Sequence, residues 1–299
     1  MKRRPIEAAS VKLGLVFAIA SAFLFGSYLF LLKRYFASYS APVYVCVVMA
    51  FGLVWYAPIA AVRTGTSAVA GLSTGVVAYA IGLSLVTVGA QLTFFAAVAA
   101  GEVSYVAPLS KVVPLFVLPL EVALLGERLA PLQVAGVLVV TGAIYVANFD
   151  AGALLDPFKR AVTTRAAQLA LLSAATWGVV DVGRRVLLQE LAFQPAVFVV
   201  LQLAVIVLAL LPLAVRRGFG GVRSDLGKFA GMGLLVALGN HMVMAAFTQL
   251  PASIVSPVVN TQAVVAVVLG GVLLGEDAFR MRLLAAGLAV GGVTLITVG

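Results

Sequence analysis

Ser104-Tyr-Val-Ala-Pro108, followed by Leu124-Leu-Gly-Glu127, returns later in the chain as Ser253-Ile-Val-Ser-Pro257 and Leu273-Leu-Gly-Glu276, a shift of 149 residues. The register holds beyond these stretches. Leu120 falls on Leu269 and Gly142 on Gly291, while Phe25-Gly26 matches Trp177-Gly178 at a shift of 152. The chain is therefore written twice, with only a small length change between the copies. Self-similarity at a fixed shift means one structural unit used repeatedly, so the nature of that unit decides the fold.

Composition supplies the answer. Of 299 residues, 63% are hydrophobic and only 10% charged. Soluble domains run near half apolar and a quarter charged, so a water-soluble globule of this size cannot hide so much apolar surface. A spanning helix needs about 20 predominantly apolar residues. Ten such runs lie near 12–32, 43–62, 75–100, 104–125, 131–149, 165–188, 195–215, 228–250, 253–274 and 281–298. The first follows Lys2-Arg3-Arg4 like a signal peptide, but it is too long for one and further spans follow it.

The expected fold is all-α and integral to the membrane, with ten transmembrane helices as two five-helix repeats. Residues 1–149 form the first repeat, 150–164 a polar linker and 165–299 the second. Five is odd, so the second copy inserts upside down and the halves are inverted. The tight connections Gly101-Glu102-Val103 and Pro251-Ala252 make spans 3 and 4, and spans 8 and 9, antiparallel neighbours.

The formal charge of +9 sits mostly in connecting segments. There it orients the chain and meets anionic lipid, so the expected partner is the bilayer and no nucleic acid. The connecting positives are more numerous on the side away from the N-terminus, which points to external termini. The single cysteine, Cys46, excludes an internal disulfide framework and a Cys-based zinc site. Neither a metal nor another cofactor is expected. Gly227-x-x-x-Gly231 and Gly287-x-x-x-Gly291 have the spacing of close helix crossings. Span 10 is expected to pack inside the protomer, and the sequence leaves monomer and homodimer both open.

The chain resembles a ten-helix member of the drug/metabolite transporter superfamily with two EamA domains. The likeness rests on the Ser-x-x-x-Pro openings of spans 4 and 9 and on the Leu-Gly-Glu exits at Leu125-Gly126-Glu127 and Leu274-Gly275-Glu276. Arg128-Leu129-Ala130-Pro131-Leu132-Gln133, Gly136 and Trp177-Gly178 also fit the family style. The second copy departs from the first at Glu276-Asp277-Ala278-Phe279-Arg280, and Ala263 stands where Pro114 stands in the first. The resemblance implies a substrate cavity between the repeats near the membrane midplane, reached by alternating access. Members move amino acids, sugars, nucleotide-like metabolites and drugs, and their N-terminus is usually drawn on the cytoplasmic side. The expected location is a cell membrane, that of a prokaryote.

Polar residues inside the spans are the candidate site. A charge at the bilayer centre costs roughly 2.5 to 3.5 kcal/mol on insertion scales. Lys111 lies between Pro108 and Pro114, which bend the helix and free carbonyls. It can hold a carboxylate or phosphate, exchange a proton, or snorkel to the interface. Asp181 has Arg184 and Arg185 at i+3 and i+4, an arrangement that reads as a local ion pair or as a proton or amine site. His241, the only histidine, titrates near neutrality when accessible. Asn240 aligns with Gln91, and with Asn260 and Gln262 they give polar positions in both halves. Tyr28, Tyr105 and Trp177 are candidate aromatic walls. Glu121 stands nearly three turns from Lys111, about 15 Å along a helix, too far for a direct pair. Glu127 and Glu276 read as helix-end residues.

The leading expectation is a secondary transporter of a small polar or amphipathic metabolite, including amino-acid or metabolite export. No Walker A motif is present in the sequence, so ATP is not the drive from this chain. Proton coupling, exchange and facilitated diffusion stay open. A sugar or nucleotide-sugar carrier is the alternative within transport, and a non-transporting scaffold or sensor the alternative outside it. A membrane enzyme is disfavoured by the single histidine, which leaves no His-rich metal motif.

Overall fold

The computed structural model describes residues 8–65, 72–101, 106, 110–147, 164–274 and 279–298. Among them there is no strand. The helices are α1 (Ala8–Tyr35), α2 (Ala41–Thr64), α3 (Thr74–Ala100), α4 (Pro114–Leu125), α5 (Pro131–Ala147), α6 (Arg165–Arg185), α7 (Pro195–Arg217), α8 (Leu226–Phe247), α9 (Ala252–Asn260), α10 (Gln262–Leu274) and α11 (Phe279–Val298). Seven described segments are long and apolar enough to cross a membrane, and shorter apolar helices accompany them at Pro114–Leu125, Pro131–Ala143 and Ala286–Ile296. Large apolar side chains such as Val54, Leu124, Leu208 and Val290 are exposed. Helices apolar on every face are stable where the surroundings are lipid, and the protein is a multi-pass membrane protein.

Local chemistry sets the helix ends. The Ser73 hydroxyl accepts from Val76 N at the start of α3, and Thr164 accepts from Ala167 N at the start of α6. Pro114 and Pro195 open α4 and α7, where a missing N–H costs nothing. Gly126 closes α4 in the left-handed conformation (φ 61°, ψ 30°), and its N–H returns to the carbonyls of Glu121 and Val122. That backbone is what the Leu-Gly-Glu exit encodes. Beyond α6 the chain continues as a π turn, Val186–Glu190, so the sixth span runs past the end read from sequence.

Two spans are interrupted. Lys111–Val113 leaves the helix before α4, and Thr261 separates α9 from α10. Val112 and Thr261 are equivalent at the 149-residue shift. The first break lies where the prolines predict it. The second carries Ala263 where the first has Pro114 and is not visible in the apolar run. Non-helical backbone at membrane depth is tolerated where it lines a cavity.

The principal helix pairs join the first half of the chain to the second. α5 packs on α11 and α2 on α7; α1 packs on α8 as α6 packs on α3; α1 also packs on α9 and α10, as α6 does on α4. Glycines set the closest approaches. A Cβ on Gly26 would stand 2.5 Å from Val265 Cβ, and one on Gly178 would stand 2.9 Å from Phe116 Cβ. Gly26 and Gly178 are the aligned pair of the two copies, and so are Phe116 and Val265. Gly14 against Leu250 and Gly101 against Ala166 repeat the pattern. α5 and α11 cross at Gly136 and Gly292, so span 10 packs inside the protomer. The Gly227-x-x-x-Gly231 and Gly287-x-x-x-Gly291 spacings mark no crossing among the described residues of the protomer: none of them lies within 4 Å of a Cβ on any of the four. Gly233, against Phe51 and Gly52, takes that role on α8 because it lies on the face turned to α2.

Candidate functional site

A cavity of about 270 Å³ lies between the two halves. α1, α2 and α3 and the segment before α4 line it from the first half, and α6 to α9 together with Gln262 from the second. α5 and α11 contribute no lining residue among those described. The walls are largely aromatic and aliphatic: Phe25 and Tyr28 from α1, Phe94 and Phe95 from α3, Trp177 from α6 and Phe247 from α8. Phe25 and Tyr28 meet edge to face at 6.3 Å. Gly239 gives the Phe25 ring its room, since a Cβ there would come within 2.9 Å of it.

Lys111, Asp181, Asn240, Gln91, Asn260, Gln262, Tyr28 and Trp177 all line this one cavity. Tyr105, Pro108 and Glu276 lie outside the described residues. His241 is not on the cavity wall. It points along the α2–α8 contact, where the Tyr56 hydroxyl is 2.5 Å from Nδ1 and Arg63 Nη1 is 3.4 Å from Nε2. One residue further along α8 turns the side chain by about 100°, which separates His241 from its cavity-lining neighbour Asn240. Gln202, Ser110, Ser173 and Ser256, none of them a sequence candidate, line the same space, and so does Arg184, the i+3 partner of Asp181. Gln202 carried a signal, being a lone amide midway along an apolar run.

The polar groups are unequally satisfied. Lys111, beside the break before α4, has no hydrogen-bond or ion-pair partner among the described residues. Asp181 accepts from Arg184 Nη1 at 3.1 Å, and Ser256 of α9 approaches the same carboxylate. Arg184 also stands 5.6 Å from the Trp177 ring centre, within cation–π range. The Oε1 atoms of Gln91 and Gln202 and the Nε of Arg184 are buried with no hydrogen-bond partner among the described residues. Asn260 and Asn240 instead spend their amide donors on their own helices, on Ser256 O and Val236 O. Buried polar atoms are normally paired, so the unpaired ones on the cavity wall leave hydrogen-bonding capacity there.

Beside the cavity-lining Arg184 and Phe247 lies a network of charged side chains. Arg185 does not share Asp181 with Arg184, as i+4 spacing suggested. It turns away, placing Nε 3.0 Å from Glu121 Oε1, donating from Nη2 to Glu127 Oε2 at 3.0 Å, and setting Nη1 3.7 Å from Glu190. Glu121, fully buried, also accepts the N–H groups of Ala252 and Ser253, both at 2.7 Å, and the Ser253 hydroxyl. A carboxylate from α4 thus caps the N-terminus of α9, where unbonded N–H groups and the helix dipole favour negative charge. Gln189 donates to the carbonyls of Phe247 and Leu250 beside it.

The EamA-like transporter family matches the chain over residues 12–149 and again over 164–298. The chain belongs to the EamA-like transporter family. Among curated proteins, none matches its sequence. A solved crystal structure, described only as that of a protein, shares 18% identity and superposes with a TM-score of 0.76, covering 95% of this chain and 98% of that one. At that identity the likeness is one of fold. In this EamA-like transporter the Leu125-Gly126-Glu127 exit does more than stop a helix. The left-handed Gly126 turns the chain so that Glu127 reaches Arg185 in the other half.

Proposed function

We propose that this EamA-like protein is a secondary transporter of a small polar or amphipathic metabolite, built as ten spans in two inverted five-helix halves and working by alternating access. The observation that carries the reading is the exchange of equivalent contacts. Gly26 of the first half seats on Val265 beyond the break of the second, and its counterpart Gly178 seats on Phe116 beyond the break of the first. Two halves related in this way can rock about the cavity they share. Interrupted spans at the midplane are what such carriers use for binding.

The Glu121–Arg185–Glu127 network closes one end of the cavity in this state. Opening that end separates α4 from α6 and α9. Amino-acid or metabolite export fits the mixture of charges and rings, and coupling runs through a proton or through exchange. The free amides of Gln91 and Gln202 favour a sugar carrier as the second reading, since hydroxyl-rich cargo satisfies amides without a charge.

The test is flux. Liposomes holding the purified protein are loaded with a metabolite mixture, and efflux is followed by mass spectrometry with and without a pH gradient. The reading expects particular compounds to leave faster than from protein-free liposomes. Uniform leakage equal to the control contradicts it and favours a scaffold.

A further inference from the structure

The charges on the cavity wall do not balance. Lys111 and Arg184 carry two positive charges, and Asp181 is the one acid among the described lining residues. Asp181 is already held by Arg184. The other buried acid nearby, Glu121, is committed to Arg185 and to the N-terminus of α9. Among the described residues, Lys111 therefore lines a largely apolar cavity without a counter-charge. An uncompensated charge in such surroundings is unfavourable, and a ligand that supplies the opposite charge removes the imbalance.

We propose that the cargo is a small organic monoanion, a monocarboxylate whose charge is taken by the Lys111 ammonium while its apolar body lies among Phe25, Phe94 and Trp177. Hydrogen-bond donors on that body meet the free amide oxygens of Gln91 and Gln202. This deepens the transport reading and rests on it only for movement across the membrane. One negative charge neutralises the wall, and two overshoot it. A free cation is repelled by both bases. A zwitterion brings no net charge, and its amine competes with Arg184 for Asp181. The cavity of about 270 Å³ is at the small end for ligand sites, which favours a small cargo.

The test uses one skeleton in five charge states: 3-phenylpropionate, phenylalanine, 3-phenylpropanol, 3-phenylpropylamine and 3-phenylpropyl phosphate. Binding is read from Trp177 fluorescence in a Trp55→Phe protein, since the chain has two tryptophans. Flux of each probe is measured separately in liposomes. The proposal expects 3-phenylpropionate to bind most tightly. It also expects Lys111→Gln to weaken that probe at least about tenfold, as for loss of one partner of a buried charge pair, while Lys111→Arg keeps most of the binding. Equal or tighter binding of any other probe overturns the proposal, as does the absence of quenching by all five. The ranking on the Lys111 protein stands without a variant, so a misfolded Lys111→Gln leaves it decisive. Tight 3-phenylpropionate binding without flux leaves the inference standing and removes the transport reading. Flux of the alcohol or amine alone does the reverse.

Discussion

Glu121 and Arg185 lie 3.0 Å apart, one near the end of α4 in the first half and the other at the end of α6 in the second. The same carboxylate caps α9 through Ala252 and Ser253. Three helices from both halves therefore meet on one buried acid. Any motion that parts α4 from α6 and α9 must separate these groups.

Removing one partner of a buried ion pair strands the other, at a cost of about 3 to 5 kcal/mol. Glu121→Gln is expected to lower the melting temperature in detergent clearly, because Arg185 loses a charge partner and α9 loses a charged cap. Glu121→Gln combined with Arg185→Met is expected to recover part of the loss. Thermal unfolding of the single and double variants checks the pair. Equal destabilisation by Arg185→Met and the double variant is the expected sign of coupling, and simple additivity contradicts it.

The paired glycine contacts give a graded test. Gly26→Ala places a Cβ 2.5 Å from Val265 and 2.9 Å from the Gln262 carbonyl, whereas the nearest atom to one on Gly178 is Phe116 Cβ at 2.9 Å. Overpacking costs roughly 1 to 3 kcal/mol, and Gly26→Ala is expected to be the more damaging of the two. Gly227→Ala, with nothing within 4 Å, is expected to be neutral or slightly stabilising through helix propensity. Denaturation of the three variants in one detergent gives the order directly.

His241 sits beside Tyr56 and Arg63, away from the cavity. His241→Gln is expected to leave the pH profile of flux unchanged. A shifted profile means that the histidine communicates with the site through the α2–α8 contact.

At the other end of the protein, Tyr39 in the α1–α2 turn holds the turn before α8. Its hydroxyl lies 2.7 Å from Asp225 Oδ2 and 2.9 Å from the Gly221 carbonyl, and Lys228 donates to Asp225 Oδ1 at 2.7 Å. Phe36 and Phe229 pack beneath at 4.8 Å. Lys228 and Tyr39 together hold the Asp225 carboxyl below its usual range, and the bond to Asp225 raises the Tyr39 hydroxyl. A lowered acid stabilises the fold above its unfolded value, about pH 4, and loses that contribution as pH falls through the folded value. The raised phenol contributes below about pH 10 and loses its share as pH rises through the folded value. Tyr39→Phe is therefore expected to bring the wild-type and variant melting temperatures together at both extremes, with a small gap between them at neutral pH. A gap that persists unchanged into acid contradicts the assignment.

The all-helical membrane architecture, the repeat and several polar residues of the cavity wall were legible in the sequence, because apolar runs and lone polar residues within them are visible without knowing the helix phase. Phase is what misplaced His241, which neighbours Asn240 in sequence and points elsewhere. Distance in sequence hid the role of Glu121, whose partners Arg185 and Ser253 are reached only when the halves pack. The i+3 and i+4 rule pointed Arg184 and Arg185 at the same acid. The structure gives each its own, since Glu121 of α4 and Glu127 just beyond it claim Arg185. The break at Thr261 has no proline after it, and only its equivalence to Val112 in the other copy marks it.

Side-resolved labelling of a cavity residue tests alternating access most directly. Cys46 is buried and is the single cysteine, so a Cys46→Ser background carrying Leu29→Cys places one thiol on the wall. A membrane-impermeant maleimide is applied from each side of oriented vesicles, with Arg185 intact and as Arg185→Gln. The account predicts labelling from both sides, with Arg185→Gln raising the rate from the side that Arg185 closes and lowering it from the other. Labelling from one side only, unchanged by Arg185→Gln, contradicts it.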